Sequence, residues 1–252
     1  MSKGKKPLVI GHRGNSGNAP ANTIEAIRQA IDIGVDMIEI DVRLTKDRVP
    51  ILIHNDTVDE TTDGKGLVSE MSFDQIRKLD AGSWKDKKYK GEKIPTLMEV
   101  LDYTKGKVYL SIDLKEESAI PEIVKAIHDA DMVDGVVICG CAEPQAKAIW
   151  QLNENLSVLL NTDSELDRLA KMDDKTEFIK EYIRRACKER FSVLNVSYKF
   201  VTDELIYKAH LRGLSVWTWT VDKEEDIKQL IEMGVDGIYS NYPERVIKVL
   251  TM

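Results

Sequence analysis

The segment that decides the fold is Met37-Ile38-Glu39-Ile40-Asp41-Val42, in which apolar and acidic side chains alternate. A period of two predicts a β-strand, with the apolar side chains on one face and both carboxylates on the other. In the strand of a barrel, the outward face meets the surrounding helices, so the apolar set belongs outside. The carboxylates of Glu39 and Asp41 are then expected to point inward, near one end of the barrel.

Short apolar runs of this kind recur along the chain and alternate with amphipathic helical stretches. Eight strands are predicted, at Leu8–Gly11, Met37–Val42, Val108–Asp113, Val136–Cys139, Val158–Leu160, Val193–Val196, Ser215–Trp219 and Gly237–Ser240. Patterns typical of helix starts occur at Asn22-x-x-Glu25, Thr96-x-x-Glu99, Asp222-x-x-Glu225 and Asn241-x-x-Glu244. Strand–helix alternation repeated eight times predicts a parallel sheet closed into a (β/α)8 TIM barrel. A doubly wound open sheet also alternates, but it needs no eighth unit.

One segment departs from this alternation. Val49–His54 also has the composition of a strand, but only six residues separate it from Met37–Val42, too few for a parallel crossover. We therefore expect a hairpin or an irregular excursion on the second barrel strand. Residues 55–93 are polar, with one short helix starting at Ser72-x-x-Gln75. They are predicted to form an insertion in an early βα loop of a single domain that spans residues 1–252.

Composition narrows the range of partners and locations. The chain has 252 residues and a net charge of −7, which disfavours binding to nucleic acid or to an anionic membrane by bulk charge. Its three cysteines include no C-x-x-C pair, so a zinc ribbon or a disulfide framework is not supported. The apolar run Leu8–Ile10 is too short for a signal peptide. A cytoplasmic protein without stable membrane association is predicted.

Two polar groups are expected at the ends of the first and second strands. Gly11-His12-Arg13-Gly14 allows a sharp turn that directs an imidazole and a guanidinium to one point, although a solvated Arg and a packed His explain it equally well. Glu39 and Asp41 would repel each other inside a barrel, and a divalent cation removes that repulsion. Carboxylate oxygens favour Mg²⁺ or Ca²⁺. The alternative to a bound cation is a salt bridge between these acids and an inward-pointing Arg or Lys.

A third polar group lies in Ser111-Ile112-Asp113-Leu114-Lys115, where Asp113 and Lys115 share a face. Alone, this pair is easily a surface ion pair, but with the two earlier acids it completes a three-carboxylate site. The predicted hairpin returns His54 to the level of Glu39. Two histidines, two basic side chains and an acidic metal site around one barrel mouth suit phosphoryl chemistry, because cations neutralise charge on phosphate oxygens and histidines transfer protons.

The sequence resembles the glycerophosphodiester phosphodiesterase family along nearly its whole length. Nine signatures in the right order carry the resemblance: His12-Arg13-Gly14, Pro20-Ala21-Asn22-Thr23, Glu39-x-Asp41, Val49–His54, Thr61–Gly66, Ile94-Pro95-Thr96-Leu97, Ile112–Lys115, Trp219-Thr220-Val221-Asp222 and Gly234–Ile238. The resemblance implies a (β/α)8 barrel, one divalent cation, and hydrolysis of glycerophosphodiesters to glycerol 3-phosphate and an alcohol.

The same resemblance implies roles for eight residues. They are His12 and His54 as the acid–base pair, Arg13 and Lys115 as phosphate contacts, Glu39, Asp41 and Asp113 as metal ligands, and Trp219 as an apolar wall beside the glycerol. Four positions depart from the family pattern: Asp113 stands where Glu is usual, Asn55 where Asp is usual, Glu60 where Arg is common, and Ala21 where Glu is common. These departures raise the prospect of an altered substrate preference and, to a lesser degree, of lost activity.

Two other functions stay open at this point. A related barrel acts on lysophospholipids or phosphoinositol-type diesters, and a lipid substrate would favour an exposed apolar rim around Trp84, Tyr89 and Trp219. A barrel without turnover could serve as a binding protein, although the intact histidines and acids argue against it. The sequence leaves open the head group, the choice between Mg²⁺ and Ca²⁺, which histidine is the acid, and the oligomeric state.

Overall fold

Eight parallel strands close into a barrel in the computed structural model, which describes residues 6–251. The barrel strands are β1 (Leu8–His12), β2 (Met37–Leu44), β4 (Tyr109–Leu114), β5 (Val136–Cys141), β6 (Ser157–Asn161), β7 (Val193–Ser197), β8 (Ser215–Trp219) and β9 (Gly237–Ser240), with β3 (Pro50–Leu52) outside the ring. Pairing runs from β1 through β9 down to β4 and β2, and β2 pairs with β1 to close the ring. The (β/α)8 fold predicted from the sequence is confirmed.

Ten α-helices lie within residues 6–251. They are α1 (Ile24–Ile33), α2 (Phe73–Ile76), α3 (Leu97–Thr104), α4 (Ile120–Asp129), α5 (Glu143–Leu152), α6 (Ser164–Ala170), α7 (Thr176–Lys188), α8 (Asp203–His210), α9 (Glu224–Met233) and α10 (Pro243–Thr251). None of the helices in this range is long and apolar enough to cross a bilayer.

Two predicted helix starts are confirmed, at Ser72 for α2 and at Thr96 for α3, and both form a capping box. The predicted start at Asn22 is wrong by one residue, because Asn22 has φ of +60° and the cap of α1 is Thr23. An N-cap residue needs extended backbone angles, which Thr23 has.

Two further predicted starts are wrong because their side chains bond elsewhere. α9 follows Lys223 rather than Asp222, and the Asp222 carboxylate accepts hydrogen bonds from Ser240 and Asn241. The Asn241 side chain in turn bonds to His12 and Asp222 rather than to the first turn of α10.

The predicted hairpin on the second strand is present. β1 pairs with β2 only as far as Glu39, which leaves the upper edge of β2 free, and β3 pairs there antiparallel with Val42 opposite Leu52. His54 lies two residues after the end of β3. The segment after it has a small apolar core of its own, and it contacts the loop after β1 through Lys85, which donates to the backbone oxygen of Ser16 at 2.7 Å.

Apolar residues fill the lower part of the barrel, and polar residues occupy the inward positions above them. The interior cluster consists of Ile10, Met37, Cys139, Leu159, Val193, Trp217 and Tyr239. The outward residues Ile38, Ile40 and Val42 of β2 pack in the larger core between the strands and the helices. The alternation of β2 therefore directs Glu39 and Asp41 inward, at the carboxyl end of the barrel where (β/α)8 enzymes hold their active sites.

Candidate active site

A cavity of about 550 Å³ opens at the carboxyl ends of the barrel strands. Seven of the eight predicted site residues line it: His12, Arg13, Glu39, His54, Asp113, Lys115 and Trp219. The eighth, Asp41, is fully buried behind this lining and contacts Arg13 and Lys115. The structure thus brings together residues from five separate parts of the chain.

Three carboxylates form a compact cluster at one side of the cavity. Glu39, Asp41 and Asp113 each offer an oxygen atom, and these atoms lie within 4.8 Å of one another. The parallel register of β2 and β4 places Asp41 opposite Asp113. Gly140 on β5 keeps space for the third acid, because a Cβ atom at this glycine would lie 2.0 Å from Oδ1 of Asp113.

Two basic side chains pair with the buried acid of the cluster. Lys115 Nζ lies 2.8 Å from Asp41 Oδ1 and 2.7 Å from Asp113 Oδ2, and Arg13 Nε lies 3.0 Å from Asp41 Oδ2. Burial alone would raise the pKa of Asp41, but Lys115 and Arg13 outweigh it and lower that pKa to about 2. The salt bridge that the sequence left open is therefore present at Asp41, in the interior and not at the surface.

The pairing leaves excess negative charge in the cluster, because three carboxylates face two basic side chains. Burial, followed by the charges of Asp41 and Asp113, raises the pKa of Glu39 well above its usual range. Burial likewise raises the pKa of Asp113. Asp41 Oδ1 is buried and, apart from Lys115, contacts no hydrogen-bond donor in the described part of the chain. A hard divalent cation fits this set, because all three groups offer carboxylate oxygens.

His12 ends β1 with its imidazole fixed on one side. Its Nδ1 atom lies 2.7 Å from Oδ1 of Asn241, and its Nε2 atom lies 3.8 Å from Glu39 Oε2. Burial, followed by the nearby charge of Arg13, lowers the pKa of His12 to about 4. The imidazole is therefore neutral at pH 7.

His54 reaches the same cavity from the hairpin. Its Nδ1 atom lies 2.5 Å from Oδ1 of the adjacent Asn55, so a neutral carboxamide contacts the imidazole where the family usually has Asp. His54 is only half-buried, because the loop that carries it lies outside the closed sheet.

The far side of the cavity contains polar residues that sequence reasoning missed. Asn161 and Asn195 face inward from β6 and β7, where Asn161 Oδ1 accepts from the Gly140 N–H at 2.8 Å. Asn195 could have been found from the sequence, because it is the one polar side chain in the apolar run Val193–Val196. Cys139 also lines the cavity, and burial raises the pKa of its thiol, which disfavours a nucleophilic role.

Asn22 and Asn241 were likewise missed, since both read as helix caps in the sequence. Asn22 instead donates from Nδ2 to Asp41 Oδ2 at 2.7 Å and accepts from the Asp41 N–H at 3.1 Å. Asn241 contacts His12, as described above. Each of these contacts joins a loop residue to a strand that the fold brings beside it, so no local pattern in the sequence indicates it.

A parallel barrel with a carboxylate cluster, two histidines and two basic side chains at its carboxyl end defines a class of phosphodiester-hydrolysing enzymes. The model of the glycerophosphoryl diester phosphodiesterase family matches residues 12–245. The chain belongs to this family, which confirms the resemblance and the enzyme class predicted from the sequence.

Individual relatives agree with the family match. A glycerophosphodiester phosphodiesterase of Caldanaerobacter subterraneus subsp. tengcongensis is 34% identical, over 97% of this chain and 98% of the relative. One of Bacillus subtilis is 30% identical, over 96% of this chain and 86% of the relative. A solved structure of an Oleispira antarctica phosphodiesterase in complex with the product sn-glycerol-3-phosphate is similar, with a TM-score of 0.81 and 27% identity over 98% of this chain and 97% of that one.

Proposed function

We propose that the enzyme hydrolyses glycerophosphodiesters to glycerol 3-phosphate and an alcohol, with one divalent cation, Mg²⁺ or Ca²⁺. The observation that carries the proposal is that the three-carboxylate cluster shares one cavity with His12 and His54. The names of the relatives, and the product in the Oleispira antarctica structure, support this substrate class.

Arg13 and Lys115 are proposed to bind the phosphate. Both line the cavity and are held by Asp41, which fixes their positions beside the carboxylate cluster. Although burial opposes it, the charges of Asp41 and Asp113 raise the pKa of Lys115, so its ammonium group keeps its charge. Trp219 borders the cavity on β8 and would form the apolar wall beside the glycerol.

Glu39, Asp41 and Asp113 would hold the cation. When bound, a divalent cation supplies Lewis-acid stabilisation of charge on the phosphate oxygens. The three carboxylates would hold the cation beside Arg13 and Lys115, so that the cation and the two basic side chains would together stabilise negative charge on the phosphate.

His12 is proposed as the general base and His54 as the general acid. His12 is neutral at pH 7 and its Nδ1 atom is occupied by Asn241, so Nε2 takes the proton from the attacking oxygen of water or of the glycerol 2-hydroxyl. His54 reaches the same cavity from the hairpin and would donate a proton to the leaving alcohol. A cytoplasmic location without stable membrane association stays a prediction.

The apolar rim that a lipid substrate would favour does not surround the cavity in the described residues. Tyr89 is buried and its hydroxyl donates to the Asn18 backbone oxygen, and neither Tyr89 nor Trp84 lines the cavity. A water-soluble diester is therefore the proposed substrate.

The direct test is release of glycerol 3-phosphate, measured by a coupled assay on glycerophosphoglycerol, glycerophosphoethanolamine and glycerophosphocholine. We expect turnover that chelation abolishes and that Mg²⁺ or Ca²⁺ restores. Glu39→Gln should abolish turnover, whereas Glu232→Gln on the exposed surface of α9 should not change it. Full activity after bound metal has been stripped, or no release from any of the three diesters, contradicts the proposal.

A further inference from the structure

A chain of hydrogen bonds runs from Asp222 through Asn241 to His12. Asn241 Nδ2 donates to Asp222 Oδ2 at 2.7 Å, and His12 Nδ1 lies 2.7 Å from Asn241 Oδ1. The three residues come from the carboxyl ends of the neighbouring strands β8, β9 and β1. Asp222 does not line the cavity, so any effect it has on the reaction passes through Asn241.

The contacts of Asn241 decide which way its carboxamide points. A carboxamide can present either its oxygen or its NH₂ group to a histidine. The Ser16 hydroxyl lies 2.8 Å from Asn241 Oδ1 and 2.7 Å from the His12 backbone oxygen. It has one hydrogen for these two neighbours and can also accept, so it does not determine the orientation of the carboxamide. The Asp222 carboxylate only accepts, so a reversed carboxamide would place two oxygens 2.7 Å apart. Asp222 therefore determines the orientation.

Asp222 is itself fixed by two donors. Its Oδ1 atom accepts from the Asn241 backbone N–H at 2.9 Å and from the Ser240 hydroxyl at 3.1 Å. Its second oxygen is thereby directed at the Asn241 NH₂ group. Because the Asn241 NH₂ group donates to Asp222, the Asn241 atom that faces His12 is the carboxamide oxygen, which can only accept a hydrogen bond.

His12 must then carry its hydrogen on Nδ1, which leaves the lone pair of Nε2 facing the cavity. We propose that Asp222 is a positioning residue which, through Asn241, holds His12 in the tautomer that a general base requires. The inference rests on the proposed function for the role of His12, but the tautomer itself can be measured without turnover.

Asp222→Asn should keep the side-chain hydrogen bonds between residues 222, 241 and 12 but exchange donor and acceptor in each of them. The Asn241 backbone N–H still requires an oxygen at the first position, so the new NH₂ group replaces Oδ2 and faces the Asn241 NH₂ group. Two donors cannot pair, so the Asn241 carboxamide turns over and presents its NH₂ group to His12. His12 Nδ1 must then accept, and the hydrogen moves to Nε2.

The experiment records the imidazole ¹⁵N signals of histidine-labelled enzyme at pH 7, where nitrogen atoms with and without hydrogen are well separated. The chain has four histidines, and the signals of His12 are those that His12→Gln removes. We expect hydrogen on Nδ1 in the unsubstituted enzyme and on Nε2 in Asp222→Asn. Turnover of glycerophosphoethanolamine should fall by about 10–10²-fold in kcat, with KM changed by less than about twofold.

A double variant distinguishes two roles of Asp222: orienting the Asn241 carboxamide, and supporting the backbone at residues 240–241. In Asn241→Asp, both side-chain oxygens accept, so His12 keeps its hydrogen on Nδ1 whatever residue 222 is. With Asp222 retained, Asn241→Asp places two carboxylates at the 2.7 Å contact, and adding Asp222→Asn relieves their repulsion. The addition should therefore not lower kcat and should leave the hydrogen on Nδ1. A structural role predicts the same loss in both backgrounds.

Asp236→Asn is the matched control, because Asp236 also anchors a backbone N–H, that of Val216 at 2.8 Å, and does not line the cavity. It should leave the His12 signals and kcat unchanged. Hydrogen on Nε2 in the unsubstituted enzyme overturns the proposal without any variant. An unchanged tautomer in folded Asp222→Asn, or an undiminished loss in the double variant, also overturns it. Absence of glycerol 3-phosphate release from the unsubstituted enzyme contradicts the proposed function and leaves the tautomer result standing.

Discussion

The two histidines that face the cavity are held by different parts of the fold. His12 ends a barrel strand, and its Nδ1 partner Asn241 lies 229 positions away in the sequence. His54 follows the hairpin strand, and its partner is the next residue, Asn55. Closure of the barrel, which makes β1 and β9 neighbours, therefore holds one imidazole, while a local turn holds the other.

The charges on the two sides also differ. The His12 side is buried beside Arg13, which disfavours a protonated imidazole. The half-buried His54 lines the same cavity as Asp113 but comes from the hairpin, outside the closed sheet. The comparison teaches that the buried interior of the sheet suits a neutral base, whereas the second imidazole depends on a local turn outside the sheet.

The largest effect is expected from removal of either imidazole. His12→Ala and His54→Ala should each lower kcat on glycerophosphoethanolamine by about 10²–10⁴-fold, the usual contribution of acid–base catalysis. Steady-state assays measure this loss. His128→Ala, on the exposed surface of α4, is the control and should remain within about twofold of the unsubstituted enzyme. Near-normal kcat in either cavity variant removes that residue from the mechanism.

The next effect concerns Asp113, the third carboxylate of the cluster. Asp113→Asn removes one of three charged ligands, so metal affinity should fall by at least about 10–100-fold. Asp113→Glu keeps the charge and should retain metal dependence. Titration of activity with Mg²⁺ measures both. If Asp113→Asn leaves the metal requirement and rate unchanged, Asp113 serves only as the partner of Lys115.

A smaller effect follows from giving each histidine a charged partner. Asn55→Asp places a carboxylate against His54 and raises its pKa, so an acid that must be protonated stays active to higher pH. Asn241→Asp raises the pKa of His12, so a base that must be unprotonated loses activity at low pH. The pH profile of kcat/KM should therefore shift upward at its high-pH limb in the first variant and at its low-pH limb in the second. Movement of the same limb in both variants contradicts separate roles.

The smallest effect is on stability. Because the folded-state pKa of Glu39 is raised, the metal-free protein loses stability as pH rises above the unfolded value of 4.5. Asp41, whose pKa is lowered to about 2, contributes equally at pH 5 and pH 8. Mg²⁺ or Ca²⁺ should therefore raise Tm more at pH 8 than at pH 5, by about 2–4 °C per kcal/mol. Glu39→Gln should remove most of this difference, and an equal rise at both pH values would contradict it.

The barrel and the core of the site could be predicted from the sequence because they depend on short-range patterns. The alternation of Met37–Val42 was enough to turn Glu39 and Asp41 inward, and the short spacing to Val49 was enough for the hairpin. The capping pattern was also reliable at Thr96, whose partner Glu99 is three residues away.

The supporting residues could not be predicted in this way. Asn22, Asp222 and Asn241 match the pattern of helix starts, but each has a tertiary partner that competes with the local cap. Asn22 bonds to β2, 19 positions away, and Asn241 bonds to β1 across the closure of the barrel. Their functions depend on strand neighbours that only the fold brings together.

The most direct test of separate acid and base roles uses two leaving groups. The kcat of His12→Ala and of His54→Ala is measured on glycerophosphoethanolamine and on the p-nitrophenyl ester of glycerol 3-phosphate. Because nitrophenolate departs without a proton, His54→Ala should recover most of its lost turnover on the nitrophenyl ester, while His12→Ala should not. Equal losses for both variants on both substrates, or recovery of His12→Ala alone, would contradict the assignment of His12 as base and His54 as acid.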